Sequence, residues 1–163
     1  MNVTFAYLAD HPDLISLLAT WFHREWGRRN PELTVDRIGE NLEGRLHSDR
    51  LPLTLVAFLG TEPVGTASLK IREMEIYPQY LHWLGAVYVV PKNRQQGIGT
   101  QIVEHSISEA ERLAVRELYL YTRGSESFYA QFGWQPLERP FYHGREVVVM
   151  KLTLPARPSR TNI

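Results

Sequence analysis

The spacing of hydrophobic residues changes near residue 53, and that change divides the chain into two kinds of element. Before it, apolar positions recur at helical spacing. Leu14, Leu17, Leu18, Trp21 and Phe22 predict a first helix. Asp10 reads as its N-cap, Pro12 falls in its first turn, and Gly27 stops it. Ile38, Leu42 and Leu46 predict a second helix capped by Thr34, with Gly39 and Gly44 lowering its propensity. Ahead of both, Val3 to Leu8 alternates loosely, as a strand does. From Leu53 the pattern becomes strand-like. Leu53 to Leu59 is an apolar run bounded by Pro52 and Gly60. A turn at Gly60-Thr61-Glu62-Pro63 leads into Val64 to Arg72, which makes a hairpin. Glu73 to Tyr80 contains Pro78 and reads as a loop. Leu81 to Val90 carries the strongest strand pattern and ends at Pro91.

A polar, glycine-bearing segment follows, Lys92 to Thr100, and a long helix starts inside it. Ile98, Ile102, Ile107, Ala110, Leu113 and Ala114 trace the helix's apolar stripe. Leu118 to Thr122 predicts a short strand, and Ser125 to Phe132 a short helix stopped at Gly133. Strands near Trp134 to Leu137 and Glu146 to Leu154 complete an α/β (α+β) order. No repeat or linker divides the chain. One domain is expected over residues 1–154, with a flexible tail over 155–163.

Composition narrows the function. The 163 residues carry 18 Lys plus Arg and 18 Asp plus Glu, so the formal net charge is zero. Nucleic-acid binders advertise a basic excess that is missing here. With no cysteine, disulfides, a thiol nucleophile and thiolate metal sites are excluded. No H-x₃-H, H-E-x-x-H or carboxylate cluster suggests a metal. No apolar run reaches membrane-spanning length, and the N-terminus lacks the pattern of a secretory signal. A soluble cytoplasmic protein is expected.

The segment with chemistry is strand, then Arg94-Gln95-Gln96-Gly97-Ile98-Gly99, then helix. A helix leaves about four N–H groups of its first turn without partners, and its dipole adds positive charge there. Glycines allow close approach. Such a nest suits a pyrophosphate, with Arg94 at its lip. A P-loop would need G-K-[ST], and a dinucleotide fingerprint would need a third glycine where Ile102 stands. On its own, this glycine pair is also what a capped helix after a tight turn looks like.

The larger constellation is more specific. V-Y-V-V-P-K-N-R-Q-Q-G-I-G-T, an amphipathic helix, L-Y-L-Y-T, then F-Y-A-Q-F-G-W resembles the GNAT (N-acetyltransferase) superfamily. The resemblance covers residues 3 to 154, with its motifs in 81 to 134. It implies a mixed, mostly antiparallel sheet of about seven strands, splayed between the fourth and fifth, with about four helices. It implies that Val87 and Val89, with Tyr88 between them, lie along the pantetheine arm of acetyl-coenzyme A. It implies that Arg94, Gln95, Gln96, Gly97, Ile98, Gly99 and Thr100 bind the pyrophosphate. Tyr129 falls where the family keeps its general acid. Read without the resemblance, Tyr129 is a packing residue beside Phe128 and Phe132.

Two positions depart from the family pattern. Several members place a base two residues before a bulge at the equivalent of Gly85, and this chain has Trp83 there. Glu75 is taken first as the base, with Glu73, His82 and Tyr121 as further candidates. Many relatives carry an Asn where Thr122 stands. Trp26, Trp83 and Tyr121 are the candidate acceptor-binding residues, and Trp21 and Phe22 are assigned to the core. Glu73, Glu75 and the nearby aromatics favour a cationic amine. The expected activity is direct transfer of an acetyl group from acetyl-coenzyme A, without a metal. The acceptor is a primary amine on a small molecule or a protein N-terminus. A non-catalytic acyl-coenzyme A sensor and a tRNA-acetylating toxin are the competing readings. Zero net charge disfavours the second, since that substrate rewards a basic face. A monomer or homodimer is expected, with no membrane partner.

Overall fold

A computed structural model describes residues 2–156 of the chain. Most of the predicted flexible tail, 157–163, lies outside the described residues. The strands are β1 (Thr4–Tyr7), β2 (Leu53–Leu59), β3 (Glu62–Ile71), β4 (His82–Val89), β5 (Glu117–Thr122), β6 (Gln135–Glu138), β7 (Phe141–Tyr142), β8 (Arg145–Glu146) and β9 (Val148–Thr153). The α-helices are α1 (Ile15–Trp26), α2 (Val35–Glu43), α3 (Ile98–Arg112) and α4 (Glu126–Ala130). Seven strands form one sheet in the order β1-β2-β3-β4-β5-β9-β6, and β7 with β8 make a separate hairpin. Every pairing is antiparallel except β4 with β5.

Period-2 alternation in β2 separates two cores. Leu53, Leu55 and Ala57 face α3, where Ile98, Ile102, Val103 and Ala110 close the layer. Val56 faces the other way, into Leu18, Trp21, Phe22, Ile38 and Leu42 of α1 and α2. Farther along that second face, Met74, Trp83, Tyr119, Val147 and Val149 form a third cluster covered by Tyr77, Tyr80 and Tyr142.

The helix starts differ from expectation at Asp10 and at Ser125, the residue read as the cap of α4, which makes no side-chain cap bond. Thr34 caps α2, its Oγ1 accepting from the Arg37 N–H at 3.1 Å. Asp10 caps nothing. The chain makes two 3₁₀ turns, Leu8–Asp10 and Pro12–Leu14, before α1 begins at Ile15 without a side-chain cap. Burial of Leu8 fixes the first turn ahead of the helix. The last strand starts at Val148 rather than Glu146, because residues 141–146 fold back on themselves through His143 and Gly144, both at positive φ. Among the described residues no helix is long and apolar enough to cross a membrane.

The feature that positions the site is a bulge in β4. Gly85 pairs with Ser68 and Tyr88 with Thr66, so Ala86 and Val87 together stand opposite Ala67. The positive φ lies at Ala86, at 52°, one residue after the glycine that marks the bulge in sequence. An extra residue exchanges the faces of everything after it. Leu84 packs toward α3, yet Ala86, Tyr88 and Val90 pack toward α1, and Val87 and Val89 take over the α3 side.

Candidate active site

β4 and β5 share one pairing, Trp83 with Tyr119. Beyond it the strands part, so the backbone groups of β4 that face β5 have no strand to bond. A cleft of about 430 Å³ lies beside this stretch, lined by Val87, Tyr88 and Val89 along one wall and Phe128 and Tyr129 of α4 along the other.

The cleft's end is the first turn of α3. Gly97 is the N-cap at φ 81°, no side chain caps this end, and no acidic residue stands in the first turn. Gln101 N–H bonds the Gly97 carbonyl at 3.2 Å, so the amides of residues 98 to 100 lie ahead of the helix's internal ladder. Gln95, at φ 63°, precedes them in a left-handed conformation. A methyl added at Gly99 would touch Phe128 at 3.8 Å and Val89 at 3.9 Å, so only a bare Cα keeps the space between those walls open. Asn93 Oδ1, on the same cleft, is buried with no hydrogen-bond partner. The uncapped amides therefore offer positive potential to an anionic group, while Asn93 Oδ1 offers an acceptor for an N–H or O–H of the same elongated ligand.

Arg94 is held across the mouth. Its Nε donates to the Val89 carbonyl at 2.8 Å, and its Nη2 lies 3.4 Å from Glu25 Oε2. Its guanidinium stacks on the Tyr88 ring at 5.3 Å. Tyr129 packs edge-on against Phe128 and Trp134. Burial pushes its hydroxyl up to about 12. The hydroxyl has no protein hydrogen-bond partner among the described residues.

The opposite side of the bulge is an aromatic wall with three charges. Trp83 is fully buried, its Nε1 donating to the Tyr80 carbonyl at 2.7 Å. It therefore builds the wall instead of presenting a surface to an acceptor. Tyr121 is 38% exposed. Burial raises its hydroxyl first, and the charge of Glu73 raises it further. Trp26 is exposed, but it sits against Phe22 and Tyr88 near the Arg94 mouth. Thr122 is buried and pairs with Val148. Glu75 is exposed, and its charge reaches Tyr142. Glu73 accepts from Lys70 Nζ at 3.0 Å. His82 is half-buried, and burial lowers its pKa.

Two groups here carried no warning in the sequence reading, Lys70 and Arg45. Lys70 sits in β3 opposite Trp83, with its side chain 13% exposed. Its Nζ would lie 3.1 Å from a Cβ placed on Gly85. With Arg45, Asn41 and Glu73 it lines a second cavity of about 210 Å³. For Lys70 the one signal in the sequence was a lysine within the strand segment A-S-L-K-I, three residues before Glu73.

The acetyltransferase (GNAT) family model matches residues 12–134. No curated protein matches the sequence. Among solved structures, the chain resembles an aminoglycoside 6'-N-acetyltransferase complexed with coenzyme A, at 18% identity and TM-score 0.75, covering 98% of this chain and 100% of that one. It also resembles aminoglycoside 6'-acetyltransferase type Ii, at 21% identity and TM-score 0.72, covering 97% and 100%. A GNAT-family acetyltransferase from Streptococcus pneumoniae aligns at 16% identity and TM-score 0.69, covering 94% and 100%.

Proposed function

This chain belongs to the acetyltransferase (GNAT) family, and from that premise we propose that it moves an acetyl group from acetyl-coenzyme A directly to a primary amine within a ternary complex. The observation that carries the reading is the parted β4–β5 gap, bounded by the uncapped start of α3 and by the unbonded hydroxyl of Tyr129. The amides of residues 95 to 100 receive the diphosphate, and Arg94 turns from Glu25 to a phosphate oxygen. The free edge of β4 at Val87 and Val89 bonds the amides of the pantetheine arm, as an added strand would. That register brings the acyl carbon to the bulge. The Val87 N–H steadies charge developing on the acyl oxygen. As the amine's C–N bond forms and the C–S bond breaks, Tyr129 gives its proton to the departing sulfur. A phenol held near 12 stays protonated at neutral pH.

The amine must shed a proton. Glu73 is engaged by Lys70, whereas Glu75 has no ion-pair partner among the described residues and takes the proton through solvent. With no cysteine in the chain, no thiol carries the acyl group between donor and acceptor. That same lack of cysteine accords with a reducing compartment such as the cytoplasm.

The test is thiol release from acetyl-coenzyme A across a broad panel of amines, paired with calorimetry of coenzyme A binding. Binding together with amine-dependent release supports the enzyme. Binding with background release throughout identifies an acyl-coenzyme A sensor instead.

A further inference from the structure

The small cavity beside Gly85 is built for charge, and the acyl-transfer reading leaves it unused. Arg45 follows the end of α2, and Lys70 enters from β3, so two separate elements bring a cation to one space. One carboxylate, Glu73, faces them and bonds Lys70. Arg45 makes no ion pair among the described residues. The cavity therefore holds one positive charge in excess. Burial lowers the pKa of Lys70 and of Arg45, and the Glu73 charge only partly opposes this in each. Partly desolvated cations without full compensation are costly. An anion entering the cavity would relieve that cost.

Position gives the anion its meaning. Lys70 Nζ touches the face of Gly85, the residue just before the bulge. The Lys70 side chain is thus the link between this cavity and the bulge where the acyl carbon would be delivered. A space of about 210 Å³ has room for a small substituent such as a carboxylate. The guanidinium is a planar fork that matches a carboxylate with two parallel hydrogen bonds. Asn41 adds an amide at the rim. Glu73 acts in the other direction, since its charge also reaches Tyr121 and Tyr142 on the aromatic wall. The cavity thus offers a small zwitterion both signs of charge, with Glu73 bonded to Lys70 and its field also reaching the aromatic wall.

We propose that Arg45 and Lys70 hold the carboxylate of the acceptor, so that the enzyme acetylates a small amine bearing a carboxylate, of the amino-acid type. This rests on the acetyl-transfer reading above. It narrows the expected amine acceptor to a small molecule that also carries a carboxylate. It also separates this chain from its aminoglycoside-modifying structural neighbours, because a polycationic acceptor would meet Arg45 and Lys70.

The test measures binding, so it does not depend on turnover. N-acetylated amino acids and their carboxamides, the expected products and their uncharged analogues, are titrated by calorimetry into protein saturated with coenzyme A. At least one acid is expected to bind about 10- to 100-fold tighter than its own amide, the range a charge-assisted pair supplies. Arg45→Gln should erase that preference and leave coenzyme A affinity unchanged. Lys70→Gln, read the same way, guards against misfolding of one variant. The proposal is overturned if no acid outbinds its amide, or if the preference survives in folded Arg45→Gln. Coenzyme A binding in the same samples keeps that outcome distinct from failure of the acetyl-transfer reading, in which the first ligand itself would not bind.

Discussion

Replacing Tyr129 by Phe removes one oxygen, and the structure gives opposite expectations for stability and for rate. The hydroxyl lies in a half-buried position without a protein partner. Its removal therefore breaks no internal hydrogen bond and leaves the ring contacts with Phe128 and Trp134 in place. The melting temperature should stay level or rise slightly, since an unbonded polar atom is costly to bury. Coenzyme A affinity should change little, because the proposed diphosphate seat is at the start of α3, away from this hydroxyl. The chemical step should slow by about 10²- to 10⁴-fold, the usual contribution of a positioned acid. At 1.36 kcal/mol per tenfold this is about 2.7–5.4 kcal/mol of barrier. Single-turnover thiol release at saturating acceptor, beside calorimetry and a thermal melt, reads all three. A variant within 10-fold of the parent would refute the acid role. A loss of several degrees in melting temperature would mean that the oxygen is structural.

The same phenol sets a pH expectation. Its pKa is raised, to about 12 from 10, so the folded state keeps the proton more firmly than the unfolded chain. Stability from this group is complete below about pH 10 and fades between about 10 and 12. Consequently kcat should show no alkaline fall below about pH 10, and a limb near 9 that Tyr129→Phe abolishes would contradict the burial. Gly99→Val should fold normally, since its Cβ meets only ordinary contacts, but weaken coenzyme A binding by roughly 10-fold or more as its branches fill the cradle; unchanged affinity would mislocate the diphosphate. Glu25→Gln frees an exposed guanidinium from a pair worth about 0.2–1 kcal/mol, so coenzyme A should bind up to about 5-fold tighter, and weaker binding would count against the partner exchange. Trp134→Phe leaves the Leu118 carbonyl without its donor at 3.0 Å in a fully buried place, which should cost roughly 2–4 kcal/mol in chemical denaturation.

The sequence was most legible where a single period ruled. The run Leu53 to Leu59 is β2 to the residue, because one apolar stretch between Pro52 and Gly60 leaves no other register. Thr34 was readable as a cap, since its oxygen needs only the amide three residues on. The glycine turn before α3 was visible because a helix start and two small residues coincide. Asp10 misled, because Leu8 is anchored by contacts from residues distant in sequence. Gly85 pointed to the bulge, but the strained dihedral went to Ala86, a choice made by pairing with β3. For the acceptor side the local signal was poorest. Trp83 looked available until Tyr80 and Tyr119 closed over it. Arg45, past the end of α2, and Lys70 of β3 meet only across the small cavity they share, a separation of 25 residues that no periodicity reports.

Proteins usually confine raw strand borders to the rim of a sheet and blunt them there with charge or proline. Here two such borders lie inside the sheet, where β4 and β5 diverge past Trp83 and Tyr119. The opening is a wedge closed at its apex, so a slim extended molecule can enter where another protein's sheet cannot. If the proposed cofactor arm binds there, what looks like missing backbone pairing would work as a sieve, admitting amide-bearing threads while keeping out the intermolecular zippering that bare strands otherwise invite.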